Sequence, residues 1–304
     1  MDVGKTKKMV DNAIGALASA LEQGESDTLK AYLAAMGRFH RYSLGNAMLI
    51  AFARPGATRV AGFRTWQKLG RQVRKGECEI AILAPIARRR KPRIEARERT
   101  GPDEPNGRAS PDAGRAVLGF RTAYVFDVAQ TDGRELPEFA QIGGEPVEEL
   151  ARLKQHVAEQ GLQLRYAGHL GGAEGVSVGG TIMLRSGQAT AEEFSTLVHE
   201  LAHERLQHDG VEGSKVVKET EAEAVAYAVC VAVGLELNSA SRDYIHLYDG
   251  KKESLIASLE RIRSVATEII GSVCPADRHQ ARARGHNSTP GMGSPTSSPR
   301  QAAA

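Results

Sequence analysis

The run His199-Glu200-Leu201-Ala202-His203 constrains this chain more than any other feature. On an α-helix, positions four apart share a face, so both imidazoles can reach one point in space while Glu200 projects beside it. Phe194, Leu197, Val198, Leu201 and Ala202 give the same helix an apolar side, as a helix set against a core requires. Two imidazoles beside a glutamate suit a divalent ion, Zn2+, about 2.0 to 2.1 Å from each nitrogen, with a position left for water and Glu200 placed to take its proton. Such a site generally needs a third protein donor, and therefore a second element packed against the first. Glu219-Thr220-Glu221-Ala222-Glu223 opens the next helical run. The spacing makes Glu219 the third ligand and Glu223 an acceptor for a ligand imidazole N–H, with Glu221 turned to another face. His208 falls outside the set, because the third histidine of the longer H-E-x-x-H-x-x-G-x-x-H pattern would stand at Asp209 and its glycine at Leu206. The competing reading of the same residues is a surface helix with satisfied histidines, followed by an acidic first turn that complements a helix dipole.

The rest of the chain reads as α+β in two domains. Helical spacing runs over 5–23 and 28–53, a short helix over 63–69 stops at Gly70, and 79–86 and 117–128 read as pairing strands. Between them, 88–115 is rich in Arg, Pro, Gly and Asp without periodicity, so it reads as a loop or insertion. Domain one is accordingly 1–137. After a Gly/Pro-bearing link at 132–146, a helix over 147–160, strands over 162–166 and 176–184, two long helices over 191–208 and 215–233, and two more over 239–248 and 252–270 make a helix-rich second domain, 147–270. The tail, 271–304, holds almost nothing to bury and reads as disordered. No stretch approaches the 18 or more apolar residues of a membrane span, and no apolar segment follows the lysines at the start. Cys78, Cys230 and Cys274 form no C-x-x-C pair; an odd, scattered set fits a reducing cytoplasm.

A net charge of +3 conceals a strong asymmetry. Residues 30–99 carry 17 Lys and Arg against 4 Asp and Glu, whereas residues 100–304 are net acidic. Within the basic stretch, Tyr42 to Pro85 interleaves cations with Tyr42, Phe52, Phe63 and Trp66. Cations that track phosphates beside rings that stack on bases are the combination used for single-stranded nucleic acid. The candidate contacts are Tyr42, Arg64, Trp66, Arg71, Arg74 and Lys75. The alternative is that the rings are core and the cations a solvated face.

Two segments carry a family resemblance. ETEAEAVAYAVC, Glu219 to Cys230, after HELAH resembles the zinc site of ImmA- and IrrE-type metallopeptidases and of the C-terminal domain of ArdC antirestriction proteins. Tyr42 to Pro85, with VFDVAQTDGRELP at Val125 to Pro137, resembles the N-terminal domain of ArdC-type proteins. The resemblance implies a single-stranded-DNA-binding domain followed by a zincin-like metallopeptidase domain, with His199, His203 and Glu219 on Zn2+ and Glu200 as the catalytic base. It implies an antirestriction or DNA-protecting role on a mobile element, and a protein substrate for the hydrolase. Two other readings are a DNA-binding module whose metal domain is structural or regulatory, and an ImmA-like protease that cleaves a repressor.

Overall fold

The computed structural model describes residues 2–89, 115–135, 145–207, 214–235 and 244–274. Three helices open the chain: α1 (Val3–Glu22), α2 (Asp27–Arg38) and α3 (Leu44–Ala53). The helical spacing expected over 28–53 as one run is two helices in the structure. They separate at Phe39–Ser43, where Ser43 caps α3 by accepting the Asn46 N–H and the Phe39 and Tyr42 rings meet edge-on. The short strand β1 (Val60–Ala61), helix α4 (Phe63–Lys68), and strands β2 (Arg71–Val73), β3 (Ile80–Arg89), β4 (Arg115–Asp127) and β5 (Thr131–Gly133) follow. They form an antiparallel sheet in the order β1-β4-β3 and a separate β2-β5 pair. Strands β3 and β4 run further than expected, to Arg89 and from Arg115; of the expected 88–115 loop, residues 90–114 lie outside the described residues.

The later elements are α5 (Val147–Glu159), β6 (Gln163–Ala167), β7 (Gly175–Val178), β8 (Thr181–Arg185), α6 (Thr190–Arg205), α7 (Lys215–Val233) and α8 (Lys252–Val273). The expected strand over 176–184 is broken at Gly179 and Gly180, both at positive φ, into the antiparallel hairpin β7–β8. β8 also pairs with β6 in parallel, which leaves β7 at the sheet edge. Of the helix expected over 239–248, a single 3-10 turn at Tyr244–Leu247 is described, and 239–243 lie outside the described residues. Helix α8 continues to Val273, past the point at which a disordered tail was expected; 275–304 lie outside the described residues.

The two halves differ in their sheets, yet one apolar core covers the helices of both. Ile14, Leu17, Leu29, Leu33 and Met36 of α1 and α2 join Leu197, Leu201, Val225, Val229, Leu259 and Ile262 of α6, α7 and α8 in a single cluster. Helix α7 is buried nearly all round over Ala222–Cys230, as a helix at the centre of an assembly must be. A smaller cluster, with Ala35, Phe39, Ile50, Ile80, Ile82 and Val125, seats the β3–β4 pair on α2 and α3.

Gly37 shows how closely the halves approach. A Cβ added there would lie 2.2 Å from the carbonyl oxygen of Ala228 on α7, so α2 and α7 meet backbone to backbone. Alanine favours a helix over glycine by about 1 kcal/mol, but this overlap forces the helices apart. Gly37→Ala is expected to lower stability by roughly 3 kcal/mol, read as a drop in the denaturant midpoint.

Candidate metal site and nucleic-acid surface

Helix α6 puts Phe194, Leu197, Val198, Leu201 and Ala202 into the core with no exposed surface, which leaves His199, Glu200 and His203 along its flank. Helix α7, started by Ser214 accepting from the Val217 N–H, packs beside it and turns Glu219 and Glu223 toward that flank. Glu221 is turned away to α8, where it is bonded by Arg261. The structure thus brings His199, His203 and Glu219 together. The two imidazole Nε2 atoms are 3.1 Å apart, and Glu219 Oε2 stands 3.5 Å from that of His199 and 3.6 Å from that of His203. An ion with tetrahedral ligands at about 2.0 to 2.1 Å holds those ligands about 3.3 Å from one another. The three atoms therefore outline one face of such a tetrahedron. The Glu219 side chain is about half exposed (51% accessible), so the donor cluster is reachable from solvent.

The surroundings reinforce the geometry. Glu223 Oε2 lies 3.5 Å from His199 Nδ1, where it can take that N–H and leave Nε2 free as a donor. Burial works against a charged His199, but the Glu223 hydrogen bond and the carboxylates of Glu200, Glu223 and Glu219 outweigh it and raise its pKa above 6.5. A site that attracts a proton this way attracts a cation. Burial, then the negative charges of Glu219 and Glu204, raise the Glu200 carboxyl above its ordinary range, with His199 opposing them. Strand β7 runs past the same helix: a Cβ on Gly175 would come within 2.8 Å of Glu200 Cγ and 2.7 Å of Thr196 Cγ2, and Ser177 Oγ donates to Glu204 Oε1 at 2.6 Å. Gly175, Ser177 and Glu204 were missed in the sequence, since nothing local says which strand will cover the helix.

The basic stretch divides differently from expectation. Trp66 is a correction: it is 2% exposed, and its indole N–H donates to the Phe126 carbonyl, so its ring faces are core and cannot stack on a base. Arg71 is committed to Thr131 and to the Gly133 and Arg134 carbonyls, fastening β2 to β5. Arg74 is bonded to Glu77, Asp132 and the Ala129 carbonyl. Tyr42 is half-buried against Phe39, and burial raises its phenol pKa. Arg64 and Lys75 are exposed. Exposed rings of this half not singled out as contacts are Phe52, Phe63, Phe120 and Tyr124. The alternation of β4 was the signal for the last two, because Ala123 and Val125 point inward and leave Phe120 and Tyr124 on the other face. The conspicuous VFDVAQ segment is structural: buried Asp127 accepts from the Thr58, Arg59 and Ala129 N–H groups, and Gln130 donates to the Cys78 carbonyl.

Two substitutions separate the metal donors from their support. His203→Ala is expected to abolish stoichiometric zinc uptake, whereas Glu223→Gln weakens zinc affinity by about 10- to 100-fold, as read by competition with a chromogenic chelator. Equal affinities for wild type and His203→Ala would rule the triad out as the metal site.

Similarity to known proteins supplies context for the N-terminal region. Residues 6–126 match the family model for the N-terminal domain of anti-restriction factor ArdC. An uncharacterized protein of Bacillus anthracis is 25% identical over 275 residues, covering 78% of this chain. The chain spans only 46% of that relative's length. Crystal structures of antirestriction protein ArdC from plasmid R388 align with TM-scores of 0.44 for the metal-free form and 0.49 for the Mn(II)-bound form. Their identities are 17% and 15%, over 76% and 88% of this chain and 83% and 98% of theirs. Over residues 6–126, then, this chain is similar to the N-terminal domain of the ArdC antirestriction factors.

Proposed function

We propose that this protein binds single-stranded DNA through its N-terminal half and carries a zinc-dependent peptide hydrolase site on α6 and α7, in an antirestriction role. The observation that carries the hydrolase reading is the triangle of His199, His203 and Glu219 donor atoms with edges of 3.1 to 3.6 Å beside a buried Glu200. A zinc ion held there supplies polarisation of a scissile carbonyl and acidification of water. Glu200 then accepts a proton from the attacking water and delivers it to the leaving amine, a role favoured by a carboxyl held above its usual pKa. A peptide has a place to lie: β7 is an edge strand, and its free backbone groups can pair with an extended chain alongside the helix that bears Glu200.

The DNA reading is supported by the match of residues 6–126 to the ArdC N-terminal domain and by exposed Arg64 and Lys75 in the same stretch as exposed Phe63. Cations held in that region would neutralise phosphates and release counterions. The family likeness supports the antirestriction role, in which incoming DNA is guarded during transfer.

Two measurements test the proposal. Zinc-loaded wild type is expected to cleave labelled casein, and Glu200→Ala to retain zinc while losing cleavage; identical behaviour of the two, with zinc bound in both, would favour a structural or regulatory metal. Binding to oligo-dT is expected to weaken steeply between about 50 and 200 mM salt, with Arg64→Ala and Lys75→Ala each reducing the salt slope by about 1. A preference for duplex, or an affinity indifferent to salt, would overturn the single-strand assignment.

A further inference from the structure

Three carboxyl- or hydroxyl-bearing side chains, Thr196, Glu200 and Glu204, follow one another at intervals of four along α6, so they form a single line about 6 Å apart. Alternate residues of a strand, also on one side, repeat at about 6.8 Å. The near-match lets β7 lie along this line. Gly175 stands against Thr196 and Glu200 with no room for a side chain, and Ser177, the next residue on that side, donates to Glu204 at 2.6 Å. The separation lies in the range of short, charge-assisted O–H···O bonds. Glu204 is adjacent to His203, yet its carboxylate faces the strand and lies outside the donor triangle.

We infer that Ser177 and Glu204 are a positioning pair that sets how β7 sits over Glu200 and the histidines, and thereby the height at which an extended peptide adds to the free edge of β7. This rests on the peptide-hydrolase reading for its consequence in catalysis, but its physical core, a strand paired with β8 and tied to α6 by a side-chain bond, stands on the structure. Gly175 permits the close approach to the helix, while its backbone pairs with Leu184 of β8. The glycine pair at 179 and 180 turns the chain immediately afterwards, so Ser177 supplies the polar tie between this short strand and the helix. Removing its hydroxyl leaves Glu204 without that donor, close to the Glu200 carboxylate.

The test compares wild type, Ser177→Ala and Ser177→Thr as full-length, zinc-loaded chains. Amide hydrogen exchange over 175–178 is expected to speed up by roughly ten-fold in Ser177→Ala, with zinc affinity unchanged and with threonine, which retains the hydroxyl, restoring protection. On labelled casein, Ser177→Ala is expected to raise KM several-fold at nearly constant kcat. Unchanged exchange over β7, loss of zinc in parallel with protection, or a fall in kcat at constant KM would overturn the assignment. Failure of the wild type itself to cleave casein would count against the hydrolase reading alone, and the exchange result would still decide whether the pair holds the strand.

Discussion

The burial of α7 is the constraint on which the remaining structure depends. From Ala222 to Cys230 this helix meets apolar neighbours on nearly every side, so its position is over-determined by α2, α6 and α8 together. A side chain on such a helix inherits that rigidity. Glu219, half exposed, and Glu223, nearly buried, lie in the N-terminal half of this helix, and their carboxylates are held opposite the imidazoles of α6. The donor triangle is therefore a consequence of helix packing, with the polar residues placed on the rim of a hydrophobic contact. Small residues make this possible: Gly37 on α2, and Ala222, Ala224, Ala226 and Ala228 on α7, allow backbones to approach to distances that larger side chains would forbid.

The shared core also links the two functional regions. Helix α2 packs on α7 and also on α3 and the β3–β4 pair of the basic N-terminal half. Polar ties help to hold that half together. Asp127 and Gln130 gather the segments around residues 58–59 and 77–78, and Trp66 locks α4 to the end of β4 through the Phe126 carbonyl. Residues that look suited to DNA by type, Trp66 and Arg71, are instead spent on this scaffold. Arg64 and Lys75 stay exposed, beside the exposed rings of Phe52 and Phe63 in the same stretch. No helix among the described residues is long and apolar enough to cross a membrane.

Legibility differed between the two regions for a physical reason. His199, His203, Glu219 and Glu223 are related by helical offsets within single helices, and Glu221 falls between them on the far face. Local periodicity is enough to put each on its side of its own helix. The break at Phe39–Ser43 was less visible, because apolar spacing continues across it and the only local sign is Ser43 ahead of Leu44. Trp66 and Arg71 could not be sorted from their neighbours at all, since their partners, Phe126 and Thr131, are each 60 residues distant.

Taken by itself, the amino-acid sequence determined most of the longer helices, the pairing strands β3 and β4, and the offsets that bring two imidazoles to one point, all of which follow from the 3.6- and 2-residue repeats of the backbone. Only the tertiary structure decided that α1 and α2 share a core with α6 to α8, that β7 covers Glu200, and which cations are consumed by internal bonds. An apolar face demands burial without naming what buries it, because the hydrophobic effect carries no direction, and that choice is made by the shapes of surfaces far apart in the chain.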